Sequence, residues 1–101
     1  MPNEDSLHPK SGARFLFERT SKRDDGADYD AAILTAADRV NYKAVLSADG
    51  AVELSAIGAA AEQALEKKLK NIAVVIARGS KRKRSDGLDP WPERILRWRN
   101  V

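Results

Sequence analysis

The sequence predicts an α+β fold: a mostly antiparallel sheet of about five strands, ordered β-β-β-β-α-β, covered on one face by a single long helix. Three observations carry that expectation. Segments between residues 13 and 56 alternate apolar and polar side chains at period two. An Asp49-Gly50 pair punctuates two of them. From about residue 58 the apolar spacing changes to i+3 and i+4, the period of an amphipathic helix.

The first strand is read in ARFLFERT, residues 13 to 20, with Phe15 and Phe17 on one side and Arg14, Leu16 and Glu18 on the other. SKRDDGAD then mixes charge with Gly26 and reads as an exposed turn. YDAAILTA, residues 29 to 36, permits helix through its alanines, yet Tyr29, Ala31, Ile33 and Thr35 share a face at period two, and strand is the preferred reading. VNYKAVLS, residues 40 to 47, alternates clearly. Asp49-Gly50 is expected to close a hairpin through a type I′ turn, with Val52 and Leu54 on the returning strand.

Residues 58 to 78 carry Ala61, Leu65, Leu69, Ile72 and Ile76 as the stripe that covers the sheet, and Gly79 is expected as the glycine just past the helix end. Residues 80 to 90 read as a basic loop, and ERILRWRNV, residues 93 to 101, as the last strand. There Leu96 and Trp98 share a face, which predicts that Trp98 is core. The length of the loop leaves open which edge the last strand joins. Residues 1 to 11, rich in Pro and Ser, are expected to form a tail, and residues 12 to 101 a single domain.

Composition narrows the function classes. The chain has no cysteine, which removes disulfides, thiolate nucleophiles and Cys-type zinc sites. That fits a cytoplasmic setting. No run is long and apolar enough for a bilayer, so no membrane partner is expected. Neither a phosphate-binding glycine loop, an H-E-x-x-H pair nor a Gly-x-Ser-x-Gly elbow occurs, so no catalytic residue, cofactor or metal site is assigned. The aspartates at 24, 25, 28 and 30 lack EF-hand spacing and read as a solvated turn. His8, the single histidine, lies in the expected tail.

Charge is the one feature above this background. Residues 78 to 101 hold eight basic side chains against three acids, a net +5 within a chain of net +3. Arg78, Lys81, Arg82, Lys83 and Arg84, with Arg97 and Arg99 on the last strand, form a candidate polyanion-binding set, and nearby tryptophans offer rings on which bases stack. The leading expectation is therefore a non-enzymatic module for RNA or single-stranded DNA. Competing readings of the same residues are a nuclear import signal, an acidic protein partner, and arginines that only shield a sheet edge. A second class is a protein-interaction or homo-oligomeric subunit: Val74 and Val75 fall outside the helix stripe, and with Trp91 they make a candidate partner surface. A third is an enzyme or small-ligand protein whose pocket leaves no local motif.

Overall fold

The computed structural model describes residues 8–100 and has the expected element order: β1 (Ala13–Arg23), β2 (Gly26–Leu34), β3 (Arg39–Ser47), β4 (Val52–Ile57), α1 (Gln63–Ser85) and β5 (Arg94–Arg99). The strands form one antiparallel sheet in the order β4-β3-β2-β1-β5. The meander thus grows outward from β1 on one side, and the last strand returns to the other side of β1. This settles the edge that the sequence leaves open.

Alternation sets the two faces. Phe15, Phe17, Tyr29, Ala31, Ile33, Tyr42, Ala44 and Leu46 join Leu69, Ile72, Ala73, Ile76 and Ala77 of α1 in the main core. The helix lies over β2, β3 and β4. The β1 and β5 half needs another cover, and the segment between α1 and β5 supplies it. Trp91, only 1% exposed, packs there with Ile95. The segment is tied down at three points: Arg19 N–H donates to the Glu93 carbonyl at 2.8 Å, Arg19 Nη1 to the Trp91 carbonyl at 2.6 Å, and Tyr29 Oη to the Pro92 carbonyl at 2.8 Å.

Burial raises the Tyr29 phenol to about 12, because the phenolate would lose its hydration beneath this segment. A raised pKa favours the neutral form in the folded state, so the stabilisation is complete below the unfolded value near 10 and is lost as pH rises toward 12. Chemical denaturation between pH 9 and 12, values spanning that window, is expected to show this alkaline loss in the parent and a flatter profile in Tyr29→Phe.

Several local expectations are corrected. The first hairpin is tighter than expected: β1 runs on to Arg23 and β2 begins at Gly26, so only Asp24 and Asp25 turn the chain. The β3–β4 turn is not type I′, since no described residue other than glycine has positive φ. Gly50 alone does, at φ 94°, and its N–H donates to the Ser47 carbonyl while Ser47 N–H donates to Ala51. That is a type I turn followed by a glycine bulge, which needs one left-handed residue where type I′ needs two.

The larger correction concerns the helix end. Gly79 lies inside α1, and residues 80 to 85, expected as part of a basic loop, are helical. A single interior glycine costs about 1 kcal/mol relative to alanine, which tertiary packing outweighs: Ser80 is buried and Lys81 to Arg84 are strong helix formers. The stop comes at Gly87, φ 76°, where Gly87 N–H donates to Arg84 and Leu88 N–H to Lys83 in a Schellman pair. The helix also starts later than expected, after Gly58 (φ 84°), with Ala61 N–H donating to Tyr42 Oη.

The tryptophans exchange their expected places. Pairing of Phe15 with Arg97 and of Phe17 with Ile95 puts the odd-numbered β5 residues on the helix side. Trp98 therefore lies on the opposite face, 49% exposed, its Nε1 donating to the Ser11 carbonyl at 2.9 Å. Trp91, expected to meet a partner, is core. Within the stretch expected as a tail, Pro9 is buried and His8 Nδ1 lies 2.5 Å from the Thr35 carbonyl; residues 1–7 of that tail are outside the described residues.

Candidate anion-binding surface

The structure gathers positive charge into one layer. Residues 63 to 85, which form α1, hold eight basic side chains against the single acid Glu66, a net +7. Adjacent β5 adds Arg94, Arg97 and Arg99 and no acid. The helix is thus strongly cationic, and among the described residues the balancing acids lie mainly in the turns and connecting segments, since the five strands themselves hold nine basic side chains against four acids. Lys67, Lys68 and Lys70 belong to this surface and were missed by the sequence reading. The signal that finds them is the charge of the helix summed over its observed length, whereas a count over the last quarter of the chain cuts the helix in two.

Along α1 the candidate residues do different things. Arg84 donates to the Asp24 carbonyl in the β1–β2 turn, and Arg78 lies against Gly50 in the β3–β4 turn, so both hold hairpins to the helix end. Lys81 and Arg82 are exposed and Lys83 half-buried. The Arg82 side chain is 90% exposed, and its 3.9 Å approach to Asp86 is a weak surface pair. Basic residues in the last turn also face the negative end of the helix dipole, an effect of about 0.3–1 kcal/mol that fades within one turn. It explains a preference for cations there without requiring four in a row.

Arg97 and Arg99 are not part of that cluster. They lie on the helix side of β5, where the helix does not cover the strand, and with Lys68, Asn71, Ile72, Val75 and Ile76 they line a groove of about 280 Å³. Val75 is 71% exposed in it, whereas Val74 is half-buried. Among the described residues Lys68, Arg97 and Arg99 have no acidic partner: each arginine donates only to a backbone carbonyl, Arg97 to Leu96 at 3.0 Å and Arg99 to Trp98 at 2.9 Å. By i+3 and i+4 spacing, Lys68, Asn71, Val75 and Arg82 fall on one helix stripe, with Val75 and Arg82 about 10 Å apart along the axis.

Of the four aspartates expected as a solvated turn, Asp28 and Asp30 lie in β2 and are paired. Asp28 accepts from Arg23 at 2.8 Å and from Ser21 at 2.8 Å, and these contacts hold its carboxyl below the ordinary carboxylate value. Asp30 pairs with Lys43 at 2.5 Å. Among the described residues no group of three or more His, Cys, Asp and Glu side chains is placed to hold a metal ion. No described helix is long and apolar enough to cross a membrane.

Fold and surface together define a small α+β domain with a cationic helix layer over a five-stranded antiparallel sheet. Comparison with protein-family models, curated proteins and solved structures finds no match to this chain.

Proposed function

We propose that the protein is a non-enzymatic, cytoplasmic module that binds a nucleic-acid strand, RNA or single-stranded DNA, by its phosphates. The observation that supports this reading is the net +7 of α1, with Lys81, Arg82 and Lys83 projecting from its last turns. Cations held on a rigid helix displace the counterions of a phosphate chain without first having to be ordered. The reading differs from one based on base stacking: Trp91 is core and Trp98 lies on the other face of the sheet, so no indole sits beside the cluster. Binding is therefore directed at the backbone and indifferent to sequence. Arg78 and Arg84 add charge while seating the two hairpins.

Titration of labelled RNA, single-stranded and duplex oligonucleotides at several salt concentrations tests this. The expected result is affinity that falls steeply with salt. A variant with Lys81, Arg82, Lys83 and Arg84 all changed to Ala is expected to lose at least about tenfold in affinity and to show a salt slope shallower by roughly 3. Absent binding, or binding insensitive to salt, overturns the reading.

A further inference from the structure

A different part of the molecule, the outer edge of β5, carries an inference that does not rest on nucleic-acid binding. β5 ends the sheet and is paired on one side only, with β1. The Arg19 to Glu93 hydrogen bond continues the same register, so Ile95, Arg97 and Arg99 make the bonded pairs with β1. In an antiparallel ladder such pairs alternate, so the N–H and C=O groups of Arg94, Leu96 and Trp98 point outward. Their environment agrees: the Leu96 and Trp98 carbonyls are the ones that accept from the Arg97 and Arg99 guanidinium groups.

Such an edge is a template for another strand, and side chains folded over it are one way of guarding it. Here the guards are themselves selective. On the helix side an added strand would meet Lys68, Arg97 and Arg99 around the apolar Ile72, Val75 and Ile76. On the other side it would meet Leu96 and Trp98, with Arg94 beyond them. A second copy of β5 offers no charge match, because its six residues bring three more arginines and no acid to an edge that already carries three. Charge complementarity requires acids.

We propose that β5 takes up an extended acidic peptide of a partner protein as a sixth strand, with its acidic side chains toward α1 and its apolar side chains toward Leu96 and Trp98. Backbone hydrogen bonds hold the peptide, while alternation of acidic and apolar residues selects it. On binding, the Arg97 and Arg99 guanidinium groups leave the Leu96 and Trp98 carbonyls for the incoming carboxylates, and peptide N–H groups replace them on those carbonyls.

The test uses the full chain and a fluorescein-labelled octapeptide of alternating Glu and Val, read by anisotropy. Saturable binding is expected. It should be lost when Lys replaces Glu, and when the same residues are arranged as four Glu followed by four Val. N-methylation of every second amide, made in both phases, should abolish binding only in the phase that faces β5. Arg97→Glu with Arg99→Glu should weaken the parent peptide about tenfold or more. Leu96→Pro, which removes an outward N–H and leaves the β1 ladder intact, should do the same if the charge variant does not fold. The fourfold alanine variant of residues 81 to 84 should retain peptide affinity within about twofold, separating this site from the nucleic-acid surface. No saturable binding, equal binding of the block or of both N-methylated peptides, or a dimer formed through β5 and dissociated by Leu96→Pro each overturns the proposal.

Discussion

Trp91→Ala is expected to lower the unfolding free energy by about 3–5 kcal/mol, the cost of deleting a large ring from a site that cannot collapse. For a domain of this size that is a fall in Tm of roughly 15 °C or more. The reason lies in what Trp91 covers. The helix spans β2 to β4, so the β1 and β5 half of the core, with Phe15, Phe17 and Ile95, relies on the segment that carries Trp91. Trp98→Ala is expected to cost only about 1 kcal/mol, for a half-exposed ring and one hydrogen bond to Ser11. Urea denaturation of the two variants checks the contrast, and equal losses would contradict the placement of both rings. Their emission should differ too: Trp98→Ala keeps the buried, bluer indole, and Trp91→Ala keeps the wetter, redder one.

Arg19→Met is expected to cost about 2–3 kcal/mol, because it removes charge-assisted hydrogen bonds from a side chain only 17% exposed. Arg19 Nη1 reaches both the Trp91 carbonyl at 2.6 Å and Asp89 Oδ2 at 3.1 Å, and Nη2 lies 3.5 Å from Glu93. It therefore anchors the segment that covers half the core. Methionine keeps the aliphatic stem, so the loss measures the guanidinium. Asp89 is held below its ordinary value mainly by the Trp91 N–H, at 3.0 Å, and secondarily by Arg19. A depressed carboxyl stabilises the fold above its unfolded pKa near 4, and that contribution is lost as pH falls through the folded value. Arg19→Met should flatten this acid limb, and combination with Asp89→Asn should be less than additive. Denaturation at pH 7 and across the acid range reads both; strict additivity would show that Arg19 and Asp89 act separately.

Much of the architecture was legible because period-two alternation, clearest in β3, records directly which side meets the helix; β2, buried on both faces from Ala31 to Leu34, was for that reason the segment open to a helical reading. Misreadings fell where local rules have more than one tertiary solution. Gly79 has the look of a helix stop, but Gly87 is the residue held at positive φ, and continuous packing through Ile76, Ala77 and Ser80 carries the helix past the earlier glycine. In β5 both faces carry apolar residues, Ile95 on one and Leu96 and Trp98 on the other, so alternation alone does not say which is inside. A shift of one residue in register reverses the answer.

The candidate surface was legible as charge but not as geometry. Lys81 to Arg84 were found as a run, yet their place on a helix together with Lys67, Lys68 and Lys70 was not, and Arg97 and Arg99 proved to belong to a separate groove beside a sheet edge. By itself the sequence determined an α+β domain of five strands and one helix, because hydrophobic period is a local property of the chain. It also determined where basic residues are dense. Tertiary structure alone decided which strand is the edge, which tryptophan is core and which cations share a surface. Those depend on the register between β1 and β5, a contact between residues more than seventy positions apart.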